Sequence, residues 1–397
     1  MTKPEKSMTG GKQEIVRNLY GLAFEERASF KDTYGGEAGH VFLECVQVRP
    51  RDRDSKTVIV FSHPVGGGAF LPIMSALARA GHHVVYVNTR YRGNDSALIM
   101  EKCVVDLGAA IRDAKRRFGY ERIVLGGWSG GGSLALFYQE QAVRPTITAT
   151  PAGDAVDLAG AGLVPGDAIF LVAAHLSRAV TLTEWIDASI LDEADPSRRD
   201  PELDLYGNPP RHEPPYGVAF VERYRTAQIA RNGRITAWVR DALDELRKRG
   251  RPNDERGFVV HGTMADPRWL DASLEPNGRK PGLCYLGDPR VVNDGPVGLA
   301  RFSTLRSWLS QWSFEESRAN GERNAASVSV PTLVVANGAD DAVPPSHMQR
   351  LYAAISHADK AMHEVAGASH YYLGQPAELA ECVEIFSRWL AAREDDR

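Results

Sequence analysis

The sequence predicts an α/β protein: a mostly parallel sheet flanked by helices, with a large, mainly helical segment inserted before the last strands. Three observations predict it. From about residue 40 to 154, short apolar runs alternate with stretches of helical periodicity. Over residues 155–327 that alternation is lost. It resumes at the apolar run TLVVA, 332–336, and continues through residue 397. The expected division is therefore 1–154 and 328–397 as two parts of one core, and 155–327 as an inserted cap. A length of 397 residues accommodates both.

Taken in order, residues 1–12 are polar and expected to be disordered, and 13–30 are expected to form a helix. VFLECVQV, 41–48, reads as a strand, and the charged run 49–56 as a solvated turn. TVIVFS, 57–62, is apolar throughout, as a strand covered on both faces is. His63-Pro64-Val65-Gly66-Gly67-Gly68 follows it directly. A helix is expected over 69–80, closed by Gly81, then a strand over 83–88 that runs into a polar loop, 89–96. Residues 101–118 carry Val104, Leu107, Ile111, Ala114 and Phe118 at helical spacing, and Gly119 ends that helix. A strand follows from 122, a helix from 133, and a further strand over TITAT, 146–150. In the insertion, 168–190 and 220–249 read as mainly helical, with proline-rich joints at 208–210 and 213–215, and another helix is expected over 298–311. The core then continues with a strand over 332–336, a helix over 346–355, a short strand over 362–365 and a helix over 377–392.

Composition narrows the function classes. Hydrophobic residues make up 43% and charged residues 25%, as in an ordinary soluble globular protein. A net charge of −4 does not mark a nucleic-acid binder. No apolar stretch is long enough to cross a bilayer, and MTKPEKSMTGGKQE has no apolar core of a secretory signal. Cys45, Cys103, Cys284 and Cys382 are far apart and form no C-x-x-C, so reduced thiols in a cytoplasmic protein are expected. No metal site and no cofactor is expected. The expected partner is a small-molecule substrate, with neither nucleic acid nor membrane, and the oligomeric state stays open, a homodimer included.

The stretch that carries chemistry is IVLGGWSGGGS, 123–133. Gly127-Trp128-Ser129-Gly130-Gly131 fits G-x-S-x-G between an apolar strand and a helix. Glycine two before and two after the serine suits a turn too sharp for neighbouring side chains, which leaves the hydroxyl clear of the backbone. The helix behind it favours developing negative charge. A phosphate loop is the competing reading, but no lysine follows the glycines and no G-x-G-x-x-G spacing occurs. The motif resembles the nucleophile elbow of the α/β-hydrolase superfamily, and the resemblance covers about residues 40–154 and 328–397. It implies the α/β-hydrolase fold, with the cap inserted before the acid-bearing strand.

A serine hydroxyl is a weak nucleophile at neutral pH and needs a base, and the base needs a carboxylate to hold its tautomer. The resemblance implies the chain order serine, acid, histidine. Asn337-Gly338-Ala339-Asp340-Asp341 follows a buried strand and resembles the superfamily's acid turn, whose carboxylate lies three residues after the glycine. That spacing selects Asp341, with Asp340 the close competitor. His370 lies between the last short strand and the last helix, where the superfamily carries its histidine. Of the other histidines after Asp341, His347 and His357 lie on or beside a helix and are expected at the surface, and His363 falls within a strand.

For an oxyanion, one donor is expected from the Gly130 N–H. The second is implied by the likeness of His63-Pro64 to the superfamily's His-Gly oxyanion loop: Val65 by position, Gly66 as runner-up, and Pro64 excluded because it has no N–H. His261-Gly262-Thr263-Met264-Ala265-Asp266 imitates an acid turn, but Asp266 falls inside the insertion and is expected to be structural. Five of seven tryptophans (Trp185, Trp238, Trp269, Trp308, Trp312) lie there too, most of them expected to fill its own core. Arg90 and Arg92 are candidates for a substrate carboxylate, against the plainer reading that they hold their loop.

Together these residues imply a cofactor-independent serine hydrolase that cleaves a carboxylic ester, the substrate being apolar or aromatic. Carbon–carbon, lactone, amide or thioester hydrolysis on the same three residues is the alternative, and a non-catalytic binding protein is the alternative of another class. Serine at the elbow argues against reactions in which a carboxylate attacks.

Overall fold

In a computed structural model of the chain, residues 13–26, 33 and 37–393 are described. The expected disorder of 1–12 lies outside them. In chain order the strands are β1 (Ile15–Glu25), β2 (His40–Pro50), β3 (Thr57–His63), β4 (Val84–Asn88), β5 (Arg122–Ser129), β6 (Ala168–Ala174), β7 (Gly257–Val259), β8 (Phe302–Thr304), β9 (Thr332–Asn337) and β10 (Lys360–Val365). The longer helices are α1 (Pro72–Arg79), α2 (Met100–Phe118), α3 (Gly131–Val143), α4 (Arg178–Trp185), α5 (Val218–Lys248), α6 (Pro345–Ala354) and α7 (Pro376–Ala391).

Eight strands form one sheet in the order β1-β2-β4-β3-β5-β6-β9-β10. β2 is antiparallel to both β1 and β4, and the pairs from β4 to β10 are parallel. Strand pleat divides the core into two layers, because successive side chains point to opposite faces. Val58, Val60, Val85, Val87, Ile169 and Leu171 pack with α2, α3 and α6 on one face. Ile59, Phe61, Val84, Tyr86, Phe170 and Val172 pack with α1 and α7 on the other. Burial on both faces is why these strands read as unbroken apolar runs. Phe170 is fully buried between Phe61 and Phe386, with ring centroids 6.1 and 4.6 Å away. Truncating such a ring to alanine costs about 3–5 kcal/mol.

Four sequence expectations are corrected. Residues 13–30 are not a helix: Ile15–Glu25 is an edge strand, and its residues 27–30 lie outside the described part. Tyr20 and Leu22 alternate into the core about Gly21, whose missing side chain leaves room for the Phe42 ring, so the true period is two. TITAT is not a strand of the sheet; Ala149 makes only an isolated bridge to Ala155. The next strand is Ala168–Ala174, inside the stretch expected to be helical and inserted; all seven of its residues are buried. A short apolar run gives no periodicity that distinguishes a buried strand from a buried helix. Residues 298–311 contain β8, paired antiparallel with β7, and are helical only from Leu305, where one α-helical turn continues as a π-helix to Trp312.

The inserted chain therefore runs between β6 and β9. It has its own core, in which Leu182, Ile235, Val239, Leu243, Trp308 and Trp312 pack together around α4 and α5. Among the described residues no helix is long and apolar enough to cross a membrane, and all four cysteines are free and buried.

Candidate active site

The carboxyl ends of parallel strands converge on one rim of the sheet, where sites in open α/β sheets gather. β5 ends at Ser129, and its register with β6 shifts between Trp128 and Ser129. Ser129 takes φ 54°, the left-handed region that costs a non-glycine residue roughly 1 kcal/mol or more. The glycines around it are required by close packing. A Cβ on Gly127 would lie 2.7 Å from Gly132 Cα, one on Gly131 would meet the Ser62 carbonyl, and one on Gly132 would meet Ala174 Cβ. Only bare backbone lets α3 start this close to β3, β5 and β6. Its first N–H groups, without intrahelical partners, then face the serine.

His370 and Asp340 complete a line of hydrogen bonds. His370 Nε2 lies 3.2 Å from Ser129 Oγ, and His370 Nδ1 lies 2.9 Å from Asp340 Oδ2. All three residues are buried. Asp340 Oδ1 accepts from the N–H groups of Ala342 and Val343, both at 2.8 Å. The carboxylate is thus fixed by its own turn, with its second oxygen left for the imidazole. Trp128 Nε1 donates to the His370 carbonyl at 3.1 Å, and the Trp128 and His370 rings lie 4.7 Å apart. Asn337 Nδ2 donates to the Ser369 carbonyl, tying the histidine loop to the acid turn. A hydroxyl, an imidazole and a carboxylate in this order can move a proton off the hydroxyl while it attacks an electrophile.

Asp341 is not at the imidazole, so the choice between the two aspartates is corrected to Asp340. The strand runs to Asn337 and the turn is a residue tighter than the spacing implies: the carboxylate comes two residues after Gly338. Gly338 N–H donates to the Val365 carbonyl and Ala339 N–H to the Ala368 carbonyl, which locks the turn against the histidine loop. Asp341 instead gives its carbonyl to Trp269 Nε1 at 2.8 Å. Its carboxyl is pushed up from the ordinary range by burial and by the charge of Asp340.

The oxyanion candidates are only partly available. Gly130 is the N-cap of α3, with its N–H just before the helix's start. Val65 N–H, the second candidate, already lies 3.3 Å from His63 Nδ1, and Gly66 N–H donates to the His63 carbonyl at 2.8 Å. The sequence marks His63 as the start of the expected oxyanion loop but gives its ring no role of its own. Its ring lies against the elbow, with Nε2 2.9 Å from where a Cβ on Gly130 would be. Burial, then the charges of Arg178 and His370, hold its imidazole down at about 3, so it is neutral.

Ser129, Gly130, Val65 and His370 line a cavity of about 330 Å³ with Trp128, Tyr371, Trp185, Tyr285 and Leu299. Its other polar side chains include His175, Arg178 and Asp95, none of which the sequence pointed to. His175 follows β6 directly, and reading that strand as helix hid the strand-end position. Arg90 and Arg92 do not line the cavity: Arg90 is buried on Asp106 and Glu26, and Arg92 pairs with Glu44. Asp266 is structural, buried between Arg225 and Arg268. His347 is not at the surface. It is fully buried with Nε2 3.0 Å from Glu184, because α6 turns its first residues toward α4. Among the described residues no group of three or more His, Cys, Asp or Glu could hold a metal ion.

Residues 59–382 match the model of the family described as "Alpha/beta hydrolase family". No curated protein matches the chain. Solved structures similar in fold include the monoacylglycerol lipase of Paleococcus ferrophilus, at 15% identity over 94% of this chain and 99% of that one, with TM-score 0.44. The esterase domain of a Rhodothermus marinus protein is 14% identical over 94% and 97%, also at TM-score 0.44. Carboxyl esterase 2 of Tuber melanosporum is 11% identical over 97% and 87%, at TM-score 0.42.

Proposed function

The chain belongs to the alpha/beta hydrolase family, and from that premise we propose that it is a serine hydrolase cleaving a carboxylic ester through an acyl-enzyme. The observation that carries this reading is the line from Ser129 Oγ through His370 to Asp340 at 3.2 and 2.9 Å, set in a cavity. In it, Ser129 Oγ attacks the ester carbonyl while His370 Nε2 takes its proton. The Gly130 N–H, with Val65 N–H turned from His63 toward the ligand, holds the oxyanion. His370 returns the proton to the leaving alcohol, then draws one from water, whose attack releases the acid and restores Ser129. Asp340 keeps the Nδ1 proton in place and stabilises the imidazolium.

The chain between β6 and β9 acts as the cap. It supplies Trp185, Tyr285 and Leu299 to the cavity, which suits a small substrate with an apolar or aromatic body. The free, buried cysteines fit a cytoplasmic protein. The test is a screen of esters varied in acyl length and aromaticity, with Ser129→Ala as control and a vinylogous diketone alongside. Ester hydrolysis lost in Ser129→Ala supports the reading. Cleavage of the diketone with no ester turned over would replace it with carbon–carbon hydrolysis.

A further inference from the structure

The cavity that holds Ser129 also holds an arginine whose binding capacity is incompletely used. The Arg178 side chain is 7% exposed, and its Cγ lies 3.7 Å from where a Cβ on Gly130 would be, so it passes beside the elbow. Nε donates to Gln311 Oε1 at 2.9 Å and Nη2 to Asp95 Oδ2 at 2.6 Å. The guanidinium carbon sits 4.3 Å from the centre of the Trp312 ring. These three contacts fix the plane of the group. Nη1 has no hydrogen-bond partner among the described residues, yet it is not sealed among the unsatisfied buried atoms. For a side chain this buried that lines the cavity, the cavity is where Nη1 meets solvent.

Charge points the same way. Among the described residues Asp95 is the only carboxylate lining the cavity, and its side chain is 32% exposed against 7% for Arg178. The anion of the pair is therefore the better hydrated partner, and the cation has the more to gain from a second anion. Two of the three imidazoles lining the cavity, His63 and His175, are held neutral by burial and do not compete for an anion. A fixed guanidinium edge with free N–H groups matches a carboxylate in shape and charge.

We propose that Arg178 Nη1 is a carboxylate-binding position and that the substrate is an ester bearing a free carboxylate on an otherwise apolar body. This deepens the ester-hydrolase reading and rests on it. The arginine that reads the carboxylate is then neither Arg90 nor Arg92 but the one at the start of α4.

The test uses the full chain and two ester series. With the carboxylate on the acyl half, the substrates are ethyl hydrogen glutarate, its monoamide counterpart and ethyl 5-methylhexanoate. With it on the alcohol half, they are 3-butyryloxypropanoate, its amide and 3-methylbutyl butyrate. In one series kcat/KM for the carboxylate should exceed both neutral esters by about tenfold or more. Arg178→Met should cut that preference to about twofold or less, and Asp95→Asn, which removes the competing anion, should raise it. The proposal is overturned if in both series the amide or the apolar ester equals the carboxylate, or if Asp95→Asn lowers the preference. The wild-type series decides even if Arg178→Met does not fold. Hydrolysis that survives in Ser129→Ala would instead overturn the ester reading itself, whereas Ser129-dependent hydrolysis without a carboxylate preference overturns only this one.

Discussion

The two walls of the cavity are built on different rules. One wall is the rim of the sheet, where Ser129, His370 and Asp340 sit at or just beyond strand ends with every side chain partnered. The other comes from α4 and the inserted chain, where Arg178 Nη1 has no hydrogen-bond partner among the described residues and Trp185, Tyr285 and Leu299 offer surface. A wall closed by its own hydrogen bonds has one geometry, which suits a chemical step. A wall with unused donors and apolar surface is completed by whatever binds. Substitutions on the first wall should therefore strike turnover, and those on the second should strike selectivity.

The largest effect is expected at the serine. Ser129→Ala should lower kcat by about 10⁴–10⁶, while its thermal midpoint stays near wild type. Ser129→Gly should be equally inactive but more stable than Ser129→Ala by about 1 kcal/mol in denaturant titration, because glycine carries no penalty at φ 54°. Equal stabilities would mean that the elbow is not strained.

Next come the two aspartates. Asp340→Asn should lower kcat by roughly 10³–10⁴, as loss of the tautomer-fixing carboxylate does. Asp341→Asn should stay within about threefold of wild type, since it is Asp340 whose carboxylate meets the imidazole Nδ1. Steady-state kinetics on one ester separates them, and the reverse order would move the boundary of the first wall by a residue.

A smaller effect is expected on the second wall. Trp185→Phe should raise KM by about three- to tenfold and leave kcat within about threefold, the mark of lost binding shared by ground and transition states. A fall in kcat alone would blur the distinction between the walls.

The smallest effect lies at the seam between core and insertion, where Glu101 Oε2 accepts from Ser310 Oγ at 2.7 Å and Oε1 is buried without a partner. Burial raises the Glu101 carboxyl above its ordinary 4.5. A raised folded value means that the group's contribution to stability is full below 4.5 and is lost as pH rises through the folded value. Glu101→Gln removes that loss, so its stability relative to wild type should improve from acid to neutral pH. A pH-independent difference would contradict the shift.

The same contrast explains what could be read from the sequence. Strand-end chemistry leaves local marks: glycines at 127 and 130–132 are there because side chains would collide, and a G-x-S-x-G pattern records it. His370, which lies 3.2 Å from Ser129 Oγ, is legible for the same reason, as a histidine on a loop at a strand's end. The carboxylate that meets His370 is legible only to within one residue, because turn tightness depends on bonds such as Ala339 N–H to the Ala368 carbonyl, which no local spacing reports. β6 reads as helix in the sequence since seven buried residues show neither period, and that reading hides His175 and Arg178 as well. The second wall is assembled from residues 95, 178, 285 and 311, distant in sequence and joined only by the folded insertion.

Whether Ser129 is a nucleophile activated through His370 by Asp340 is decided by labelling with a fluorophosphonate, read by peptide mass spectrometry. The expectation is a single adduct on the peptide bearing Ser129, absent in Ser129→Ala, formed far more slowly in Asp340→Asn and at near wild-type rate in Asp341→Asn. An unlabelled wild-type protein, or an adduct on any other residue, would contradict it.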